Sequence, residues 1–180
     1  MDRLIAIRHN DDIIEKYRGT PIGKLLQYHN LHHQFDICTE AQMLIGMCMD
    51  NRKHLRIPDN FAFIIRTGGA NLRYSEFKIS YAIAIGGIMH IALIGHNNCG
   101  MVNLKSRKEQ FISGLVEKAG WVRTDAEEHF QQYEPMFEIG NEMDFILSEA
   151  IRLRLKYPKI TVAPLLYIVE DNLLYLIDEG

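Results

Sequence analysis

The sequence predicts an α/β fold with a mainly parallel central β-sheet flanked by helices. Apolar runs of strand length occur at Met43 to Met47, Phe61 to Ile65 and Ile91 to Gly95. Segments with the longer periodicity of helices separate these runs, and strands that alternate with helices are typical of parallel sheets. We therefore expect functional side chains at the carboxyl ends of the strands, where sites in such sheets gather.

The N-terminal part of the chain predicts a helical arm. A helix from about Asp11 to Tyr28 would begin at an acidic cap, Asp11 or Asp12, with Pro21 and Gly23 interrupting it. Residues 1–35 would form this arm and residues 40–180 the α/β core. The sequence shows no repeat, low-complexity tract or linker, so we expect a single domain over residues 1–180.

The remaining elements follow from the same patterns. The two apolar runs that close the chain flank a short polar turn, which is typical of a hairpin. Proline disfavours a helical conformation in the residue before it, so we expect the last helix to end at Pro158. The elements are a helix from about Ser75 to Gly86, helical segments between Gly100 and Tyr133, a helix from Asn141 to Tyr157, and a hairpin of Leu165 to Val169 with Leu173 to Ile177.

Composition and charge limit the class of partner. The net charge is −3 with both signs interspersed, so no basic stripe predicts nucleic-acid binding. The longest apolar stretch, Tyr81 to Gly95, is too short to cross a bilayer and contains His90. The chain has 180 residues, enough for a core that buries a catalytic site. We expect a small-molecule partner, with no nucleic acid and no membrane.

The cysteine content and the N-terminal residues indicate the cellular compartment of the protein. Three cysteines cannot all pair within the chain, and two of them lie in a metal-ligand pattern. Met1 to Arg8 lacks the long apolar core of a signal peptide. We therefore expect a cytoplasmic protein, because a reducing compartment suits free thiols.

Two short motifs carry the chemistry. Cys48, Asp50 and Arg52 follow the first core strand, and His96 and Cys99 follow the third. Two thiolates and one imidazole favour zinc over harder divalent ions. Three protein ligands leave a fourth position open, which distinguishes a catalytic zinc from a closed structural one.

The expected local geometry supports a shared site. Residues two apart in an extended segment point to the same side, so Cys48, Asp50 and Arg52 would share one face of a strand end. His96 would end a buried strand, and Cys99 would lie where a helix begins, which stabilises a thiolate.

Together, Cys-x-Asp-x-Arg followed by His-x-x-Cys-Gly resembles the signature of the β-class carbonic anhydrases, and the similarity extends from about Leu44 to Val102. The resemblance is to the short, minimal branch of the family. It implies zinc-dependent, reversible hydration of carbon dioxide to bicarbonate and a proton by zinc-bound hydroxide. It also implies a homodimer or higher homo-oligomer with sites near the interface.

The resemblance assigns roles to the motif residues. Cys48, His96 and Cys99 would be the zinc ligands. An ionised Asp50 only accepts hydrogen bonds, so it would orient the nucleophile, and Arg52 would keep Asp50 ionised and directed. Asp50 and Arg52 could instead form a plain ion pair. If Arg52 turned away, Asp50 could itself take the fourth zinc position, a closed state that the resemblance implies for some family members.

Other features keep alternatives open. Arg66-Thr67-Gly68-Gly69-Ala70-Asn71 replaces the Arg-Asn-Ala-Gly-Asn usual in the family, which changes a loop near the site. A carbonyl sulfide or carbon disulfide hydrolase on the same fold is therefore an alternative. A non-catalytic zinc-stabilised binding module is another, in which Cys38 or Asp50 permanently fills the fourth zinc position. The cluster of His29, His32 and His33 predicts a solvated helix end, without a ligand role.

Overall fold

The structure, a computed structural model that describes residues 3–179, contains one six-stranded mixed sheet. The strand order is β1-β6-β5-β4-β2-β3, in which β3, β2, β4 and β5 run parallel, while β6 is antiparallel to both β5 and β1. The predicted fold class is confirmed. The strands are β1 (Leu4–Ala6), β2 (Met43–Cys48), β3 (Ala62–Thr67), β4 (His90–His96), β5 (Thr161–Ile168) and β6 (Leu173–Ile177).

Five α-helices accompany the sheet, and those predicted in the second half of the chain are confirmed. The Asn141 side chain accepts hydrogen bonds from the backbone N–H groups of Met143 and Asp144, which fixes the start of the last helix. No helix of residues 3–179 is long and apolar enough to cross a membrane. The helices are α1 (Pro21–His29), α2 (Glu76–Ala84), α3 (Lys108–Ala119), α4 (Arg123–Phe137) and α5 (Glu142–Lys156).

The sheet separates two apolar layers. Alternate residues of β2 point to opposite faces, so Leu44 packs in the layer that contains α2 and α5, and Ile45 packs in the layer that contains α1. Every residue of β2 is buried, as expected for a central parallel strand covered on both faces. This burial fixes the positions of the carboxyl ends of β2 and β4 relative to each other.

The N-terminal segment differs from its prediction. In place of one helix from Asp11 to Tyr28, two 3₁₀ turns, Asn10–Asp12 and Glu15–Tyr17, precede α1. Pro21 is the first residue of α1 and does not interrupt it, because the first turn of a helix does not need its N–H group. Strand β1, which was not predicted, pairs with β6.

Helix α1 packs against its own sheet. Ile22, Leu25 and Leu26 are fully buried in the same layer as Met43 and Ile45 of the sheet. The apolar face of α1 is therefore covered within the chain.

Candidate metal centre

Three soft donor atoms meet at the carboxyl edge of the sheet. Cys48 is the last residue of β2, His96 is the last residue of the neighbouring β4, and Cys99 lies in the loop after β4. All three residues are buried, and their ligand atoms lie within 4.8 Å of one another. The predicted ligand residues are therefore brought together, as expected at the carboxyl ends of adjacent parallel strands.

The distances and donors fit zinc. Cys48 Sγ and Cys99 Sγ are 3.9 Å apart, and two thiolates at Zn–S distances of about 2.3 Å in a tetrahedron would be about 3.8 Å apart. His96 Nδ1 lies 2.8 Å from the carbonyl oxygen of Asn97, so Nδ1 carries the proton and Nε2 carries the lone pair. His96 Nε2 is buried with no hydrogen-bond partner, as a metal-ligating nitrogen would be.

The two thiols are coupled electrostatically. A hydrogen bond from Cys99 lowers the pKa of the Cys48 thiol, while burial opposes the shift. The contact with Cys48 and burial together raise the pKa of Cys99. The contact therefore favours the thiolate form of Cys48 over that of Cys99, and a bound cation would favour both thiolates.

Asp50 and Arg52 form a turn after β2, which differs from the predicted extended segment. The backbone N–H of Arg52 donates to Asp50 Oδ1 at 2.9 Å, and this side-chain contact turns the chain back on itself. Arg52 Nε donates to Oδ1 at 3.0 Å and Nη2 donates to Oδ2 at 2.7 Å, in a bidentate pair. Arg52 Nη2 also donates to the carbonyl oxygen of Asn98 at 2.9 Å.

The Asp50 carboxylate adjoins the donor cluster. Its Oδ2 lies 3.9 Å from His96 Nε2. The hydrogen bonds from Arg52 hold the pKa of Asp50 well below its ordinary value, so it is ionised at neutral pH. Asp50 is therefore an obligate hydrogen-bond acceptor beside the donor atoms.

Two residues that were not predicted contact the site. The side chain of Lys53 is fully buried, and its Nζ donates to the Asp50 carbonyl oxygen at 3.1 Å. The carboxylate of Glu142, in the first turn of α5, accepts a hydrogen bond from the backbone N–H of Cys99 at 3.0 Å. This contact fixes the Cys99 loop. Nothing in the local pattern distinguishes either residue from a surface charge.

The helix expected at Cys99 is absent from that position. A turn follows Cys99, a 3₁₀ segment occupies Leu104–Arg107, and α3 starts only at Lys108. The Cys99 thiol is therefore not placed at a helix N-terminus.

The loop that differs from the family pattern forms a tight wall. Gly69 has φ +61, and a Cβ there would lie 2.8 Å from the Ile139 side chain and 3.3 Å from Met101. Met101 also lines an apolar cleft of about 370 Å³, whose other walls are Leu104 and side chains of α3 and α4. Thr67 of β3 is paired with Cys48 of the neighbouring strand β2. The Thr67 hydroxyl is buried without a hydrogen-bond partner. This region is tightly packed and largely apolar.

The alternative ligands lie elsewhere. Cys38 belongs to the apolar layer on the face of the sheet opposite that of Cys48 and Cys99, so the hypothesis that it closes a four-ligand site is wrong. His29 is buried at the end of α1 and its Nδ1 accepts from the backbone N–H of Arg56, which corrects the prediction of a solvated position.

Comparisons with known proteins agree with this geometry. Residues 43–170 match a family model described as carbonic anhydrase. No curated protein sequence matches the chain significantly. Several solved structures share its fold.

A carbonic anhydrase from Glaciozyma antarctica is 23% identical over 78% of this chain and 84% of its own, with a TM-score of 0.59. A beta-carbonic anhydrase from Trichomonas vaginalis is 17% identical over 83% and 91%, with a TM-score of 0.63. A carbon disulfide hydrolase is 20% identical over 80% and 82%, with a TM-score of 0.57. At these identities the likeness establishes the fold.

Proposed function

Because the chain belongs to the carbonic anhydrase family, we propose that it hydrates carbon dioxide reversibly to bicarbonate and a proton, with zinc held by Cys48, His96 and Cys99. The observation that carries the proposal is the buried Cys-His-Cys cluster beside an ion-paired carboxylate. The sulfur donors and the open lone pair of His96 favour zinc. When bound, zinc would acidify water and so supply a nucleophile at neutral pH.

Asp50 and Arg52 complete the proposed site. The ionised Asp50 accepts a hydrogen bond from the attacking group and so directs its lone pair at the substrate carbon. Arg52 holds Asp50 by two parallel hydrogen bonds and adds a positive charge near the developing bicarbonate.

We also propose that the chain forms a homodimer through the β3 edge. β3 is an outer strand of the sheet and exposes Phe63 and Ile64 at 40% and 46%. On the adjacent α2, Phe77 and Tyr81 are 81% and 52% exposed. An apolar surface next to an unpaired sheet edge is characteristic of an association site, and a second copy would cover both in a symmetric contact.

The proposed compartment is the cytoplasm. Cys38, Cys48 and Cys99 are all free thiols in the structure. A reducing compartment would keep the two ligand cysteines available for zinc.

The test is stopped-flow hydration of carbon dioxide by the zinc-loaded protein, between about pH 6.5 and pH 9. We expect a rate that rises with pH and that falls about 10²-fold in Asp50→Asn, because the carboxylate orients the nucleophile. Asp59→Asn, which removes the same charge from an exposed loop, is the matched control and should be unchanged.

Carbon disulfide and carbonyl sulfide should be assayed in parallel. Turnover of these substrates without hydration of carbon dioxide would replace the proposed activity by that of a sulfur-analogue hydrolase. A fully zinc-loaded protein that is inactive with all three substrates would favour a non-catalytic role.

A further inference from the structure

A second cation, Lys53, contacts Asp50 from inside the protein. The Lys53 side chain has no exposed surface, whereas that of Arg52 is 45% exposed. Lys53 Nζ donates to the Asp50 carbonyl oxygen at 3.1 Å and lies 3.8 Å from Asp50 Oδ1. The carboxylate is therefore flanked by a guanidinium on its solvent side and by an ammonium on its buried side.

A buried ammonium requires compensation. Removal of a lysine charge from water costs several kcal/mol unless opposite charges and hydrogen-bond acceptors surround it. Burial lowers the pKa of Lys53, whereas the negative charges of Cys48 and Asp50 oppose that shift. The groups that compensate Lys53 thus belong to the metal centre, which connects this lysine to the site and not only to the apolar core.

The two carboxylate oxygens of Asp50 have different surroundings. Oδ1 accepts from the backbone N–H and Nε of Arg52 and faces the Lys53 ammonium. Oδ2 accepts from Arg52 Nη2 and, at 3.2 Å, from Arg52 Nε, and it lies on the side of His96 Nε2, at 3.9 Å. Lys53 therefore attracts the carboxylate from the side opposite His96, and this attraction is strong in a poorly solvated site.

We propose that Lys53 is a positioning residue that keeps the Asp50 carboxylate out of the fourth ligand position of the metal. The proposal rests on the metal site of the proposed function. Lys53 holds the Asp50 backbone by a hydrogen bond and attracts its carboxylate as an ion pair, so that Asp50 stays available as an acceptor. Arg52 acts from the solvent side, where its charge is screened more than that of the buried Lys53.

The test uses the cobalt-substituted protein and its visible absorption, with azide as a probe of the open ligand position. Lys53→Met keeps most of the length of the side chain and removes the charge. We expect its azide affinity to fall at least about tenfold, because Asp50 then competes for the metal. Lys118→Met, which removes a charge from an exposed position of α3, is the control and should bind azide like the wild type.

The double variant Lys53→Met/Asp50→Asn separates positioning from simple attraction of the anion. If Lys53 acts through Asp50, the double variant should bind azide as tightly as Asp50→Asn alone. A loss of the same size in both backgrounds would overturn the proposal, because it would show a direct effect of the lysine charge on the anion. Wild-type protein that binds no azide while Asp50→Asn does would also overturn it.

Lys53→Gln is the control for a general loss of stability in Lys53→Met, because glutamine keeps a hydrogen-bond donor at this position. It should show a smaller loss of azide affinity than Lys53→Met. If both variants fail to fold or to bind cobalt, Lys53 serves the stability of the fold and the positioning role is overturned. Azide binding does not depend on carbon dioxide. The role of Lys53 can therefore be tested even if the protein does not hydrate carbon dioxide, and the two failures can be told apart.

Discussion

Removal of zinc should lower the unfolding temperature of this protein by an amount set by the free zinc concentration. The three donors come from segments distant in sequence and meet only in the folded chain, within 4.8 Å. A ligand that binds only the folded state stabilises it by about 1.4 kcal/mol for each tenfold rise in free ligand above its Kd. For a chain of this size, 1 kcal/mol shifts the unfolding temperature by about 2–4 °C. We therefore expect about 3–6 °C for each tenfold change in free zinc.

The assay is thermal unfolding followed by circular dichroism in zinc buffers of stepped free concentration. Cys48→Ser should flatten the dependence on zinc, because it replaces a thiolate ligand. Cys38→Ser should preserve the dependence, because Cys38 packs on the opposite face of the sheet. An unfolding temperature that is the same in chelator and in zinc would refute the assignment of the Cys-His-Cys cluster as a metal site.

Three further perturbations test the packing, the proposed interface and the ion pair. Leu25→Ala, at a fully buried position, should lower the free energy of unfolding by about 2–5 kcal/mol in urea titrations; Leu155→Ala, at a position 79% exposed, should change it by less than about 0.5 kcal/mol. Phe77→Glu should convert the dimer to monomer in sedimentation velocity, and an unchanged dimer would exclude the β3 edge. Arg52 lowers the pKa of the Asp50 carboxyl, so the ion pair between them stabilises the fold at pH values above the ordinary carboxyl pKa. This stabilisation is lost as the pH falls and the carboxylate of the folded protein becomes protonated. The stability difference between zinc-free wild type and Arg52→Met should therefore be larger at pH 7 than at about pH 3, and a constant difference in urea titrations would contradict this.

The central strands were predictable because burial on both faces leaves a plain apolar signal. β2 and β4 are almost entirely apolar, and each ends at a ligand. β1 was missed because Leu4–Ala6 has only three half-buried residues and becomes a strand by pairing with β6. Such pairing between distant segments leaves little trace in local sequence.

The N-terminal helix was overextended for a related reason. Ile13 and Tyr17 have the spacing of one helical face, and both are buried. The structure buries them through 3₁₀ turns that change direction at Gly19, whose φ of +69 is incompatible with a continuous helix. Apolar periodicity indicates which side chains are buried, but it does not distinguish between backbones that bury them equally well.

At the metal centre, the motifs predicted the donors but not the contacts that position Asp50. The turn from Asp50 to Arg52 depends on a side-chain hydrogen bond to the backbone, which a spacing of two residues does not reveal. Arg52 and Lys53 are adjacent cations that look alike in the sequence. Only the packing of the core against this turn buries one and exposes the other.

The donors and the carboxylate are held by different kinds of interaction, and this difference has a functional consequence. Cys48 and His96 end strands that are packed on both faces, so a change in their positions would require movement of the sheet core. Asp50 is held by hydrogen bonds and charges from Arg52 and Lys53, each of which one substitution removes. Metal retention and the orientation of Asp50 are therefore separable. Substitutions in the turn can alter the chemistry while the cluster stays intact, whereas loss of the sheet core removes both.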